Sequence, residues 1–147
     1  YLKNIGYKNM ANTYYAINNN VCVINFAYKK DDVTYYSDLI KVGVSMDNGK
    51  IVSLEAQGYL TNHIKRKAFN CKLTKEHAQS KLSKNLKVIN SKRCVIPKES
   101  GNEVNCYEFR CKSNDTKEEV LIYINADKEY EENIMLLLYS DGGTLTK

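Results

Sequence analysis

Two histidines and five cysteines are the side chains of this 147-residue chain best suited to catalysis or metal binding. His63 lies in a polar stretch, and His77 lies near the start of a predicted helix. Neither has a second ligand at zinc-type spacing, because Cys71, the cysteine nearest to His63 in sequence, is eight residues away. Paired acidic residues occur beside predicted turns and strand ends, where solvated charge is their usual role. The sequence therefore predicts no catalytic residues, no metal site and no cofactor, and we expect that the chain is not an enzyme.

The cysteines form an odd set without a CxxC motif. Cys106 and Cys111 fall on one predicted strand, where they would lie about 16 Å apart on opposite faces, so they cannot pair with each other. Other pairings, such as one between Cys22 and a cysteine on a neighbouring strand, remain open. Small buried apolar side chains are the default interpretation of these residues. The full set is Cys22, Cys71, Cys94, Cys106 and Cys111.

Positive charge is concentrated in the middle of the chain. The net charge is +5, and residues 62–93 contain ten Lys or Arg residues and one acidic residue. This basic band can attract an anionic surface or an acidic protein, although a solvated linker would carry the same charges. Nucleic acid is not an expected ligand, because aromatic residues do not interleave with the basic ones. The residues predicted to bind a partner are His63, Lys65, Arg66 and Lys67.

The second half of the chain predicts one helix followed by a four-stranded antiparallel meander. Thr74 can cap a helix with Glu76 in its first turn, and Ala78, Leu82 and Leu86 recur every fourth residue on one face. Turn-forming residues then separate four strand-like segments. These segments cover about 88–97, 103–112, 118–125 and 130–139.

The first half repeats the strands of the second half. Residues 21–29 align with residues 104–112 at an offset of 83, and residues 40–44 align with residues 120–124 at an offset of 80. A three-residue difference in one hairpin loop accounts for the change of offset. The chain is therefore predicted to contain two copies of one α+β module.

The two predicted modules cover residues 1–66 and residues 67–147. Tyr1–Ile5 has the character of a last helical turn, and Gly6 suits the position that follows a helix. We therefore expect the first module to be partial, with most of its helix upstream in a longer protein, and the second module to be complete.

Several short motifs run in order along nearly the whole chain. They include Gly6-Tyr7-Lys8-Asn9-Met10, Asp47-Asn48-Gly49-Lys50-Ile51-Val52, Gly58-Tyr59-Leu60-Thr61-Asn62-His63 and Cys106-Tyr107-Glu108-Phe109. With these motifs the chain resembles the C-terminal region of the YpeB spore germination proteins, which consists of tandem PepSY domains. The resemblance implies an α+β fold of tandem PepSY modules, each with one helix packed on a four-stranded antiparallel sheet, and it agrees with the repeat.

The resemblance also implies a non-enzymatic function. Proteins of this family have an N-terminal membrane anchor and an extracytoplasmic portion in the spore envelope, between the inner membrane and the cortex. They stabilise and restrain a SleB-type cortex-lytic peptidoglycan hydrolase. We therefore expect a regulatory module that binds this hydrolase, with peptidoglycan as a second partner and the membrane reached only through an upstream anchor. The alternatives are a cell-wall or anionic-surface binding module and an inhibitor of an exported protease.

Overall fold

The computed structural model describes residues 1–140 and 143–146, and the chain forms two compact units. The first unit comprises Tyr1–Arg66 with part of the C-terminal segment, and the second comprises Lys67–Leu138. The fold is α+β and mostly β-strand, with two short helices in the described part of the chain. Neither of these helices has the length and apolar character that a membrane span requires.

The first unit is built on four consecutive antiparallel strands and one helix. The hairpin between the first two strands turns at Asn19 and Asn20, and the next hairpin turns at Asp31 and Asp32. All four residues have positive φ angles, as two-residue hairpin turns require. The elements are β1 (Met10–Asn18), β2 (Val21–Lys30), β3 (Val33–Ser45), β4 (Ile51–Glu55) and α1 (Gln57–Asn62).

The core of the first unit lies on one face of this sheet. Ile24 and Phe26 of β2 lie opposite Val42 and Ile40 of β3, and every second residue of each strand faces this core. Leu2 packs on the same cluster. The single turn around Leu2 therefore covers only part of the apolar face.

Gly6 ends that turn with the hydrogen bonds of a helix C-terminus, as the sequence predicted. The Tyr7 N–H donates to the Leu2 carbonyl at 2.9 Å, and the Gly6 N–H donates to the Lys3 carbonyl at 3.3 Å. Gly6 has a φ of +101°. Together these features form a Schellman motif, in which a left-handed residue closes the last helical turn.

The second unit consists of one short helix and a four-stranded antiparallel meander in chain order, which confirms the predicted order of elements. Its core contains Tyr107, Phe109, Ile122 and Ile124, with Ala78 of the helix packed on them. The elements are α2 (Lys75–Gln79), β5 (Leu86–Pro97), β6 (Glu103–Ser113), β7 (Glu119–Asn125) and β8 (Glu131–Ser140).

Helix α2 is shorter than predicted, although Thr74 caps it as expected by accepting a hydrogen bond from the His77 N–H. The Ser80 hydroxyl donates to the His77 carbonyl at 2.7 Å, and the Leu82 N–H bonds to the Gln79 carbonyl only three residues back. These bonds close the helix after five residues. Leu86 already belongs to β5, so the prediction of a helical face extending to Leu86 is wrong. Leu82 and Leu86 nevertheless pack against the core.

The ninth strand, β9 (Gly143–Thr146), pairs with β1 through Gly143 opposite Ala16. The first unit therefore has a fifth strand, and the prediction of a four-stranded sheet in each module is wrong for it. Glycine permits the close approach, because a Cβ on Gly143 would lie 2.6 Å from the Tyr15 carbonyl oxygen. Gly143 also has a φ of +114°, which glycine adopts without strain.

Candidate functional site

A buried carboxylate organises the part of the first unit that contains three of the predicted partner-binding residues, His63, Lys65 and Arg66, whereas Lys67 is the first residue of the second unit. Asp38 of β3 is fully buried. Arg66 binds it through two parallel hydrogen bonds, from Nη1 to Oδ2 at 2.8 Å and from Nη2 to Oδ1 at 2.6 Å. His63 Nδ1 lies 2.6 Å from Oδ2. We call Asp38, His63 and Arg66 the Asp38 cluster. A buried carboxylate needs such partners, because desolvating an unpaired charge costs several kcal/mol.

Helix α1 brings His63 to this position. A Cβ on Gly58 would lie 3.0 Å from the Leu39 carbonyl oxygen, so the absence of a side chain lets α1 approach β3 closely. The Asn62 side-chain amide donates to the Ser37 carbonyl at 3.0 Å and to the Gly58 carbonyl at 2.9 Å. The sequence analysis placed His63 in a polar stretch and did not predict this helix.

Aromatic rings surround the Asp38 cluster. Tyr59 stacks on His63 with ring centroids 4.2 Å apart, and Tyr28 meets His63 edge-on at 4.7 Å. The Arg66 guanidinium lies 4.9 Å from the centre of the Tyr35 ring, in cation–π geometry. Desolvation and the negative charge of Asp38 raise the pKa of Tyr59 above its usual range.

The contacts of the Asp38 cluster are those of a structural clamp. A carboxylate also orients histidine in a catalytic triad, but there the histidine contacts a nucleophile. In the described residues, His63 contacts Asp38, Tyr28 and Tyr59, none of which is a serine or cysteine nucleophile. Arg66 also donates to the Asn62 carbonyl at 3.1 Å, which closes the segment after α1 onto itself. Within residues 1–140 and 143–146, no group of His, Cys, Asp and Glu side chains is arranged to hold a metal ion.

The structure divides the four residues predicted to bind a partner into two pairs. His63 and Arg66 face Asp38, and the Arg66 side chain is only 11% exposed. Lys65 and Lys67 are exposed on the same segment of chain. Sequence reasoning missed Asp38, because one acidic residue within a strand gives no indication of a partner 25 residues away.

Acidic residues neutralise part of the basic band in the second unit. Glu129 binds Lys81 at 2.8 Å and His77 at 3.3 Å, and hydrogen bonds from these two side chains lower its pKa. Lys92 lies 3.2 Å from the buried carboxylate of Glu108. Lys81 and Lys92 therefore contribute less net charge to the surface than the sequence suggests.

An apolar groove lies beside Tyr1 in the first unit. Its volume is about 530 Å³. The sheet contributes apolar side chains from β1, β2, β3 and β4, and the turn before Gly6 forms one wall. We call it the Tyr1 groove. Its apolar lining comprises Leu2, Tyr7, Met10, Ile24, Phe26, Val42, Val44 and Ile51.

Comparisons with known proteins agree on one family. Residues 1–69 match the family described as "YpeB sporulation, PepSY1 and PepSY2 domains". The chain is 40% identical over 112 residues to "Sporulation protein YpeB" of Halalkalibacterium halodurans and 34% identical over 113 residues to that of Bacillus subtilis. These matches cover 76% of this chain but only 25% and 24% of the two relatives, so the chain spans about a quarter of their length.

A solved structure matches nearly the whole chain. It is the "Bacillus megaterium YpeB C-terminal domain", with a TM-score of 0.84 and 29% sequence identity. The match covers 94% of this chain and 61% of the solved chain. The family and relative descriptions name sporulation and PepSY domains, and they name no catalytic activity.

Proposed function

We propose a non-catalytic binding role for this chain, starting from its place in the YpeB family of sporulation proteins. In this role the chain is an extracytoplasmic module of a spore germination protein, located in the spore envelope at the inner membrane and cortex. It binds a SleB-type peptidoglycan hydrolase, stabilises it and restrains it until germination. Attachment to the membrane is through an anchor upstream of this chain.

The observation that carries the proposal is the exposure of Lys65 and Lys67, the residues before and after Arg66 in the chain. Arg66, between them, is fixed on the buried carboxylate by two hydrogen bonds. The backbone that carries the lysines is therefore held at Arg66, which lowers the conformational entropy lost when a partner binds. Two positive charges on a held segment suit an acidic patch on the hydrolase.

An activity assay tests this role. Purified SleB-type hydrolase is mixed with cortex peptidoglycan in the presence of increasing amounts of the chain. We expect the rate of hydrolysis to fall and to reach its minimum near one chain per hydrolase. A rate that stays constant at all ratios would contradict the proposed restraint.

The same exposed lysines favour peptidoglycan or another anionic wall polymer as the alternative partner. Binding that depends on exposed charges weakens steeply with ionic strength, because salt screens the charges over about 8–10 Å at physiological concentrations. A protein interface that combines charge with buried apolar area retains more of its affinity. Sedimentation of the chain with purified cortex peptidoglycan, at about 0.05 M and 0.5 M salt, distinguishes wall binding through exposed charges from binding through a protein interface.

The Tyr1 groove suggests the second part of the proposal, which concerns the first PepSY module. The Schellman motif at Gly6 belongs to the end of a helix, and its first carbonyl acceptor is that of Leu2. The groove begins beside the same residues and presents apolar side chains of four strands. We propose that the chain upstream of Tyr1 forms an amphipathic helix that fills this groove, so that the groove is part of the core of the first module and not a partner site.

A further inference from the structure

Two fully buried cysteines lie directly opposite each other in the second unit. Cys94 of β5 pairs with Cys106 of β6 in the register of the hairpin, and both are fully buried. We infer that Cys94 and Cys106 are the site of a reversible cross-strand disulfide, formed when the chain meets a small-molecule disulfide oxidant. This inference does not depend on the proposed function.

The backbone hydrogen bonds define the geometry of this pair. The Lys98 N–H donates to the Asn102 carbonyl at 2.8 Å, so these two residues form a hydrogen-bonded pair. Along an antiparallel hairpin such pairs recur at every second position. The Ala126 N–H donates to the Asn105 carbonyl, so the backbone of Asn105 faces β7 and that of Cys106 faces β5. Both observations make the two cysteines a hydrogen-bonded pair.

A hydrogen-bonded pair can accept a disulfide with some distortion. Directly opposed residues of this kind have Cα atoms about 5.5 Å apart, within the range of about 4.4–6.8 Å found for disulfides. Their Cβ atoms start about 4.5–5.5 Å apart and must approach to about 3.8 Å. The strands have to move by about 1 Å, and a disulfide formed under such strain is more readily reduced than a relaxed one.

The other cysteines lack a matching partner among the described strand pairings. Cys111 lies opposite Val88 on one side and Val120 on the other. Cys22 lies opposite Ile17 and Val44. The Cys71 thiol is engaged by the Leu73 carbonyl at 3.2 Å and by the Tyr107 hydroxyl at 3.1 Å.

The oxidation proceeds by two thiol–disulfide exchanges. The thiolate of one cysteine attacks a sulfur of the oxidant, which forms a mixed disulfide and releases one small thiolate. The second cysteine thiolate then attacks the protein sulfur of the mixed disulfide and releases the second small thiolate. In sum, two protein thiols are oxidised, the oxidant is reduced to two thiols, and the two protons of the cysteines end on those thiols.

Burial restricts the reaction to states in which the hairpin is open. Desolvation raises the pKa of Cys106 to about 12 and raises the pKa of Cys94 well above its usual range, so little thiolate exists in the folded chain. The exchange therefore takes place during folding or during local opening.

The test is oxidative refolding of the chain from denaturant in the presence of oxidised glutathione. Remaining thiols are alkylated, and the chain is digested with trypsin without reductant. Residues 94–98 and 99–110 form separate tryptic peptides. We expect these two peptides to be recovered as one linked species that lacks two hydrogens and is at least fivefold more abundant than any other cysteine-linked pair. Complete alkylation of both cysteines, or preferential linkage to Cys22, Cys71 or Cys111, would overturn the inference.

A pair of matched variants tests the disulfide through protein stability, which does not depend on how much of the chain refolds. Cys94→Ala removes one partner, and Cys22→Ala removes a cysteine outside the pair. After refolding with oxidised glutathione, the urea midpoint of the wild-type chain and of Cys22→Ala should fall when reductant is added. The midpoint of Cys94→Ala should not change. Equal reductant sensitivity of Cys94→Ala and Cys22→Ala would contradict the disulfide.

Discussion

At the scale of single residues, the Asp38 cluster links the predicted site to the stability of the first unit. Arg66→Ala removes both hydrogen bonds from the guanidinium and leaves a fully buried carboxylate with His63 as its remaining partner in the cluster. We expect the free energy of unfolding to fall by about 3 kcal/mol, because breaking a buried ion pair leaves an uncompensated charge. Urea denaturation monitored by circular dichroism measures this loss.

Lys65→Ala is the matched control for Arg66→Ala. Lys65 is the exposed neighbour in sequence, so its replacement should change the free energy of unfolding by less than about 0.5 kcal/mol. If both variants lose equally little stability, Arg66 does not hold its segment of chain on the buried Asp38 carboxylate.

Cys111 gives a prediction about pH at the same scale. Burial raises the pKa of this thiol to about 11, whereas the pKa of an exposed thiol in the unfolded chain is about 8.5. Between these values the unfolded chain binds fewer protons than the folded chain, so the free energy of unfolding falls as the pH rises. Under reducing conditions, the decline between about pH 9 and pH 11 should be steeper for the wild-type chain than for Cys111→Ala. Parallel curves would show that this thiol is not shielded from water.

At the scale of elements, the Tyr1 groove predicts what an upstream segment does. A longer chain that includes about 15 residues before Tyr1 can place about 22 Å of helix over the groove. We expect its Tm to rise by about 3 °C or more, because each kcal/mol shifts the Tm of a chain this size by about 2–4 °C. Binding of a dye that fluoresces on apolar surfaces should fall.

A Gly/Ser extension of the same length is the control for the upstream helix. It adds chain without an apolar face, so the Tm and the dye fluorescence should stay close to those of residues 1–147. An equal Tm and equal dye fluorescence for the two extended chains would contradict a helix in the groove.

The strands were largely predictable from the sequence, because alternation and turn residues are local signals. The predicted segments 88–97 and 103–112 correspond to Leu86–Pro97 and Glu103–Ser113. Helix length was not predictable in this way, since the apolar spacing continued to Leu86 while the Ser80 hydroxyl ended α2. The pairing of β9 with β1 joins the two ends of the chain, and no local pattern indicates such a contact.

The candidate site was only partly predictable, for a similar reason. The basic band identified His63, Lys65, Arg66 and Lys67 by composition, but composition does not distinguish an exposed cation from one paired with a buried carboxylate. That distinction depends on Asp38, which the fold brings to His63 across 25 residues.

At the scale of the whole molecule, we propose a binding role for the chain. The chain covers about a quarter of its curated relatives, so a partner can also contact regions outside it. The exposed lysines beside Arg66 are the surface on which we base the proposed binding, and they can be changed without touching the Asp38 cluster.

Calorimetric titration of a SleB-type hydrolase with the chain measures the proposed binding itself. The wild-type chain is compared with Lys65→Glu/Lys67→Glu and with the control Lys30→Glu/Lys50→Glu, which makes the same change in net charge at two other exposed lysines. We predict that the wild type and the control bind at both about 0.05 M and 0.5 M salt, and that the Lys65/Lys67 variant binds at least tenfold more weakly, about 1.4 kcal/mol. No binding by the wild-type chain, or equal affinity of all three proteins, would contradict the account.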